Sequence, residues 1–160
     1  MILIEIIFNQ EHSNYFGGME FWPLNDEIIK MVATMTARVI LGLLFLFQGY
    51  DKIFRVGIGQ VSNAVNTGIG NGFLSPKLVN TTVFLSSWIE LIAGVMMLIG
   101  ILKTIASVAL CLNLIVVTIG FSWSKPIWDE MHVFVRLSLL LLVMMLPSQW
   151  DQLSLDYLIK

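Results

Sequence analysis

The chain has 160 residues, of which 57% are hydrophobic and 12% are charged, and its mean hydropathy is +0.83. Soluble domains have about 45–50% apolar and about 25% charged residues, so this chain has too few charged side chains to cover a water-soluble surface and is predicted to be an integral membrane protein. The net charge of −2 argues against a nucleic-acid partner, and the single cysteine, Cys111, excludes an internal disulfide and dithiol chemistry within the chain.

Residues 1–30 are predicted to form an N-terminal extension that lies partly at the membrane interface. They have no basic segment before the apolar run, and Glu5 interrupts that run, so they do not resemble a signal peptide. Met19 is an alternative start, because the sequence that follows it leads directly into the first span. Asn25 is a candidate cap for the helix of that span.

Residues 31–160 are predicted to form one domain, an all-α bundle of four antiparallel transmembrane helices. A spanning helix needs about 20 mostly apolar residues. Four segments of this kind occur, at about residues 31–50, 82–102, 105–121 and 131–146. Only Lys103 and Thr104 separate the second span from the third, which predicts a tight antiparallel hairpin. Four such segments with so few charges argue against the buried helices of a soluble protein.

The connections between the spans are predicted to lie at the membrane surface. The first, residues 51–81, is the longest and is rich in Gly, Asn and Ser. It contains a turn signal at Ser75–Lys77 and a short amphipathic helix predicted near Gln60–Val65. In the third connection, Trp123 and Trp128 are predicted to lie at an interface, as the residues of aromatic belts do.

The first span ends in a polar group, Tyr50, Asp51 and Lys52. These residues are predicted to lie at an interface, where Tyr50 would anchor the helix and Lys52 would extend its ammonium group to the lipid headgroups. The lysine also lies on a helical stripe that runs back through the span, which leaves a second role open.

Three charged residues fall within the predicted spans: Arg38, Glu90 and Arg136. An arginine or aspartate at the centre of a membrane helix costs about 2.5–3.5 kcal/mol on insertion scales. These residues are therefore predicted to face the protein interior and to pair. With about 1.5 Å of rise per residue their depths differ by only a turn or two. We expect a buried Arg–Glu–Arg cluster near the middle of the membrane, to which Asn113 and Gln48 add hydrogen bonds.

Glycines mark the helix faces that are predicted to pack together. One face of the first span carries residues at intervals of four and three, namely Arg38, Gly42, Phe45, Gly49 and Lys52. In the second span a similar stripe contains Glu90 and Gly94, and Gly100 lies near the end of that span. Small residues let membrane helices approach closely. We expect the two stripes to face each other, with Arg38 opposite Glu90.

The buried cluster has three interpretations. It fixes helix register, it holds a ligand such as a quinone or a lipid headgroup, or it forms a path for protons or ions. No metal site is predicted. Asp129, Glu130 and His132 stand close together before the fourth span, but this is typical of a solvated helix start, and no second cluster would complete a coordination shell. The chain itself is expected to hold no cofactor beyond a bound quinone or lipid.

Three segments resemble the DoxX family of small four-helix membrane proteins. "ARVILGLLFLFQGYDKI" has the arginine, the glycine, the aromatic residue and the Gly-and-Lys helix end of the family's first span. "WIELIAGVMMLIGILKT" resembles the second span, and "PSQWDQLSLDYLI" resembles the C-terminal signature. The chain departs from the family pattern where many members end the third span with a histidine, because Phe121 and Ser122 stand there. It also has "PSQWDQ" where members often have "GPG".

The resemblance implies a redox role, because the family includes a small subunit of a thiosulfate:quinone oxidoreductase and components of redox-protective complexes. The chain is expected to be an accessory subunit of a quinone-linked complex in the bacterial cytoplasmic membrane. A quinone would bind near Arg38, Glu90 and Arg136, and other membrane or redox subunits would supply electrons. At most, the chain is one part of a quinone-linked oxidoreductase.

Distant relatives without catalytic activity imply an alternative, a membrane scaffold or assembly partner. In that case the glycines serve helix packing, and the acidic N-terminal segment with Trp22 docks a partner. A small transporter is a third hypothesis, and it would require a homo-oligomer because four spans are few.

Overall fold

The computed structural model describes residues 26–69, 75–124 and 131–159, and these residues contain helices and turns but no strand. The helices are α1 Asp26–Tyr50, α2 Ile58–Ile69, α3 Pro76–Ile99, α4 Lys103–Ser124, α5 Met131–Met145 and α6 Leu155–Leu158. A π-helical turn, Asp51–Arg55, follows α1, and a 3₁₀ turn, Ser148–Trp150, precedes α6.

Several predictions concern residues outside this part of the chain. They are the interfacial extension, the alternative start and the docking segment, together with residues of the third connection. The residues concerned are Glu5, Met19, Trp22, Asn25, Trp128, Asp129 and Glu130. The side chains of Trp123 and His132 also lie outside the described residues, although both positions belong to helices.

Three helical stretches of the described chain are long and apolar enough to cross a membrane: Asp26–Arg55, Pro76–Ile99 and Lys103–Gly120. They confirm the first three predicted spans as helices of membrane-spanning length. Helix α5 forms at the fourth predicted position, but it has 15 residues, fewer than the roughly 20 that a span needs. Four spans in one antiparallel bundle therefore remain a prediction.

The first two spans begin earlier than the apolar pattern predicts. Helix α1 begins at Asp26 instead of about residue 31, and α3 begins at Pro76 instead of about residue 82. The start of α3 follows from its local sequence, because the extended residue Ser75 precedes a proline whose fixed φ suits the first helical position. The helix ends at Ile99 and is capped by Gly100, which has a left-handed φ of 75° and donates its N–H to the Met96 carbonyl.

Glycine brings the backbones of α1 and α3 into direct contact. A Cβ on Gly94 would lie 2.6 Å from the Leu46 nitrogen, and a Cβ on Gly49 would lie 2.6 Å from the Leu91 nitrogen. Neither contact leaves room for a methyl group, so the predicted packing of the two glycine stripes is confirmed. The contacts also define an antiparallel register, in which Gly49 lies against Leu91 and Gly94 lies against Leu46.

The apolar core lies where α1, α3, α4 and α5 meet. Five of its side chains have no exposed surface: Leu41, Phe45, Met97, Leu110 and Leu140. Large apolar side chains on the outer faces, such as Phe47, Leu112 and Ile119, are exposed, as the lipid-facing side of a membrane helix requires. The short helix predicted in the first connection is confirmed as α2, which packs against α3 and α4.

Candidate functional site

The buried charges form two separate clusters instead of the one predicted. Arg38 pairs with Asp151, and Glu90 pairs with Lys52, so the predicted contact between Arg38 and Glu90 is wrong. The register of α1 and α3 explains the difference. When the pairing of Gly49 with Leu91 and of Gly94 with Leu46 is continued along both helices, Arg38 is level with Leu102, and Glu90 is level with the end of α1. The two charges are thus about twelve residues out of register, roughly 18 Å along the helix axis.

The first cluster, here called the Glu90 cluster, consists of Lys52, Glu90 and Asn113. The Lys52 Nζ donates to both carboxylate oxygens of Glu90, at 2.8 and 2.7 Å, and the Asn113 Nδ2 donates to Oε1 at 3.2 Å. Glu90 is 1% exposed, whereas the Lys52 side chain is 20% exposed. Hydrogen bonds between charged groups are shorter and stronger than neutral ones. The Glu90 carboxylate on α3 is therefore held in place by Asn113 of α4 and by Lys52 of the turn that follows α1.

The π-helical turn at the end of α1 positions Lys52. The wider turn changes the direction in which successive side chains point, and π-helical turns are frequent at functional sites. Because Gly49 lets α1 lie against α3, the lysine on the next turn reaches Glu90 instead of the lipid headgroups. Tyr50 is exposed, and Asp51 pairs with Arg55 at 3.4 Å on the surface. The interfacial location of Tyr50 and Asp51 stays a prediction.

Arg136 on α5 lies near the Glu90 cluster without joining it. Its guanidinium group is half-buried and is attracted through space by the Glu90 carboxylate. No hydrogen bond or ion pair connects these two described residues. The structure therefore brings Glu90 and Asn113 together, keeps Arg136 near them, and places Arg38 elsewhere.

A cavity of about 240 Å³ adjoins the Glu90 cluster and is lined by residues of α1, α2, α3 and α4 and by Lys52 of the π-helical turn. Most of its wall is apolar, and six of the lining residues are valines: Val61, Val65, Val79, Val83, Val116 and Val117. Lys52, Gln48 and Ser86 contribute polar groups. A mostly apolar cavity with a few convergent polar groups is the usual form of a small-molecule site.

Two polar atoms at this cavity have no hydrogen-bond partner among the described residues, the Gln48 Oε1 and the Ser86 Oγ. Ser86 is only 5% exposed. Buried polar groups in native proteins are nearly always paired, because an unpaired one loses its hydration without compensation. Gln48, which was predicted to support the charge cluster, thus lies at the cavity and is available to a ligand.

The second cluster, here called the Arg38 cluster, consists of Arg38, Lys103 and Asp151. The Arg38 Nε lies 3.1 Å from Asp151 Oδ2, and the Lys103 Nζ donates to the same oxygen at 2.7 Å. The Arg38 Nη1 also donates to the carbonyl oxygens of Met97 and Leu98, at 2.6 and 2.9 Å. Arg38 and Asp151 are 2% and 3% exposed. The arginine thereby binds the last carbonyls of α3 to the C-terminal segment.

Further contacts attach the C-terminal segment to the turn between α3 and α4. The Asp156 carboxylate accepts from the backbone N–H groups of Leu102 and Lys103, at 2.8 and 2.9 Å. Gly100 permits this contact, because a Cβ there would lie 2.7 Å from the Ser154 Cβ. Asp151 and Lys103 were not predicted as site residues. The only signal was that Asp151 lies within the C-terminal segment that resembles the DoxX signature.

A family model described as DoxX matches residues 33–123. That range includes Arg38, the Glu90 cluster and every residue that lines the cavity, whereas Asp151 lies beyond it. No curated protein and no solved structure matches the chain. Three described helices of spanning length agree with a protein embedded in the lipid bilayer. Because the matched range covers more than half of the 160 residues, this chain is an integral membrane protein that belongs to the DoxX family.

Proposed function

We propose that the protein is an accessory subunit of a quinone-linked redox complex in the bacterial cytoplasmic membrane, and that the cavity binds the quinone headgroup. The observation that carries the proposal is the apolar cavity whose wall contains Lys52 together with the unpaired groups of Gln48 and Ser86. This replaces the ligand position expected among Arg38, Glu90 and Arg136, because Arg38 belongs to the other cluster.

The polar groups of the wall suit the oxygens of a quinone ring. The Lys52 ammonium and the Ser86 hydroxyl donate hydrogen bonds, as a ring carbonyl requires, and the Gln48 Oε1 accepts one, as the hydroxyl of the reduced ring requires. The valine walls suit the faces of the ring. Since about 240 Å³ is below the usual 300–1,000 Å³ of drug-sized ligand pockets, the cavity would hold the ring and leave the tail in the lipid.

Glu90 is the group that would exchange protons with the ring. Reduction of a quinone to a quinol consumes two electrons and two protons, and a carboxylate near the ring can relay protons. Glu90 is bound to Lys52, which lines the cavity, so the two groups are adjacent to any bound headgroup. The electrons would come from a redox partner in the same complex, because the chain is expected to carry no redox group of its own.

The test is purification in a mild detergent followed by mass spectrometry of the small molecules that remain bound. We expect a stoichiometric quinone in the wild-type protein, and its loss in Gln48→Leu. Glu90→Gln should fold normally but lose quinone-linked turnover in the assembled complex. Lys30→Gln is the control, because Lys30 lies on the first turns of α1 and pairs there with Glu27. A folded wild-type protein without quinone, or with only a lipid, would overturn the proposal.

The second candidate is a scaffold or assembly partner without catalytic activity, and the Arg38 cluster favours it. That cluster uses two buried ion pairs and two carbonyl contacts to hold the C-terminal segment, and no ligand is needed to complete it. A scaffold would co-purify with a stoichiometric protein partner and no small molecule. Deletion of residues 1–18 would then break the association, and Glu90→Gln would lower stability only.

A further inference from the structure

The cavity beside the Glu90 cluster is open on one side. Val79 and Ser86 in its wall are buried, and the wall residues that α1 and α2 contribute are half-buried. Three other wall residues are exposed at the outer surface of the protein, namely Leu78 of α3 and Val116 and Ile119 of α4. Since a residue that lines the cavity and is also exposed marks an opening, the mouth of the cavity lies between α3 and α4.

The mouth opens toward the lipid. Its three exposed residues belong to Pro76–Ile99 or Lys103–Gly120, two stretches that are long and apolar enough to cross a membrane. Seven residues further along the same helix faces, Leu85 and Leu112 are exposed as well, so the surface beside the mouth is apolar. Such a surface contacts lipid tails. A ligand therefore reaches the mouth from the bilayer.

We propose that the ligand of the cavity is a quinone with a hydrocarbon tail, which enters from the bilayer between α3 and α4 and whose tail leaves the protein past Gly120. This inference rests on the proposed function. It adds to that function the route of entry and the residue that leaves room for the tail.

Gly120 is a glycine that helix packing does not require. It lines the cavity, and a Cβ there would have no described heavy atom within 4 Å. At Gly42, Gly49 and Gly94, by contrast, a Cβ would lie 2.9 Å or less from a backbone nitrogen of the facing helix. Glycine weakens the interior of a helix relative to alanine. What the missing side chain does at position 120 is leave the mouth of the cavity open.

Gly120→Leu should narrow the mouth without disturbing the helices. A helical side chain lies over the turn that precedes its own Cα, and on that turn Val116 and Val117 line the cavity. The leucine would therefore cover the path of the tail. Gly59→Leu is the matched control, because a Cβ at Gly59 also has no neighbour within 4 Å, but Gly59 lies in α2 and is not part of the cavity wall.

Two naphthoquinones that differ only in the tail are the probes. One is 2-methyl-1,4-naphthoquinone, and the other is the same ring with a geranyl tail. Their dissociation constants would be measured on the full-length protein at one detergent concentration, with protein-free micelles as the blank, so that partitioning is equal for all variants. Gly120→Leu should weaken the tailed probe at least about tenfold and the tail-less probe by less than about threefold. Gly59→Leu should change neither constant.

A photolabel tests the route on the wild-type protein, which keeps the inference testable if a variant does not fold. The label is the tailed probe with a diazirine on its first isoprene unit, and the tail-less probe in excess is the competitor. Irradiation, digestion and mass spectrometry should locate the competed adducts on Leu78, Val116 or Ile119. Competed adducts confined to α1 or α2 would show a different route and overturn the inference.

The binding results distinguish the two proposals. Equal weakening of both probes in Gly120→Leu would show that the leucine occupies the position of the ring, and no weakening in a folded variant would show that the tail does not pass Gly120. Either result overturns the inference about the route and leaves the quinone proposal standing. Binding of neither probe to the folded wild-type protein would overturn both.

Discussion

The Arg38 cluster and the Glu90 cluster are both buried and charged, but they differ in what remains unpaired. In the Arg38 cluster the guanidinium binds a carboxylate and two carbonyls, and Asp151 also binds Lys103. The Glu90 cluster also forms a close ion pair, but the adjoining cavity has an unpaired glutamine oxygen and an unpaired serine hydroxyl. Charge burial alone therefore does not identify a ligand site. The polar groups that remain unpaired beside the charge do.

The location of each cluster agrees with this difference. The Arg38 cluster joins elements that are distant in the sequence, because Arg38 and Asp151 are 113 residues apart. It therefore acts as a structural link between α1, the end of α3 and the C-terminal segment. The Glu90 cluster lies next to a π-helical turn and beside the cavity that contains the unpaired groups of Gln48 and Ser86. Substitutions in the Arg38 cluster should reduce stability, whereas substitutions around the Glu90 cluster should reduce ligand binding.

The largest effect is expected from Asp151→Ala. The substitution leaves Arg38 and Lys103 without their shared carboxylate, and breaking a buried ion pair by removing one partner costs about 3–5 kcal/mol. Thermal unfolding in detergent can be followed with a thiol-reactive dye, because the single cysteine, Cys111, is partly buried against the core. Quinone bound per folded molecule should not change.

Asp51→Ala is the matched control for Asp151→Ala. It also removes an aspartate from an ion pair, but that pair is exposed, and exposed pairs contribute at most about 1 kcal/mol. If the two variants unfolded at the same temperature, the Arg38 cluster would not be the structural link described above.

A smaller loss of stability is expected where α1 and α3 touch. In Gly94→Ala the new methyl group would lie 2.6 Å from the Leu46 nitrogen and 2.9 Å from its Cα. Backbone atoms cannot rotate away, so the helices must separate, and overpacking of this kind costs about 1–3 kcal/mol. The same unfolding measurement should show it. Because the helix contact extends to Gly49 and Lys52, bound quinone should fall as well.

Gly59→Ala is expected to change stability in the opposite direction to Gly94→Ala. Gly59 lies in α2, and a Cβ there would have no neighbour within 4 Å. Alanine is favoured over glycine inside a helix by about 0.5–1 kcal/mol, so this variant should be slightly more stable than the wild type. Equal destabilisation by the two substitutions would contradict the close approach of α1 and α3.

Local sequence patterns predict the helices and their main contact well. Apolar stretches mark the first three spans, and the spacing of Gly42, Gly49 and Gly94 predicts which faces of α1 and α3 touch. Both features depend on neighbours within one helix, so one sequence is sufficient to see them. The same stripe contains Lys52, whose position on it was the signal for its contact with Glu90.

The pairing of charges was harder to predict, because it depends on register and on distant segments. The second span was expected to begin near residue 82, which placed Glu90 about eight residues into the helix. The helix begins at Pro76, so Glu90 lies further along and level with the end of α1. The partner of Arg38 was missed for another reason. Asp151 lies beyond all the predicted spans, and no local pattern relates it to Arg38.

The smallest effect on stability, and the sharpest contrast, is expected from two adjacent serines of α3. The Ser87 hydroxyl donates to the Val83 carbonyl at 2.7 Å, whereas the Ser86 hydroxyl is buried without a partner. Ser86→Ala should therefore leave stability unchanged or slightly raised, because a buried unpaired hydroxyl is removed. It should weaken quinone binding roughly two- to tenfold, the value of one hydrogen bond of about 0.5–1.5 kcal/mol.

Ser87→Ala should show the opposite pattern, with a small loss of stability and unchanged quinone binding. Both variants remove the same atom from neighbouring, buried positions of one helix, so they differ in whether the hydroxyl has a partner and in whether the residue lines the cavity. Thermal unfolding and a quinone titration on the same preparations would measure both quantities. If Ser87→Ala weakened binding as much as Ser86→Ala, the loss would be a general property of α3, and the cavity would no longer be the place where the headgroup binds.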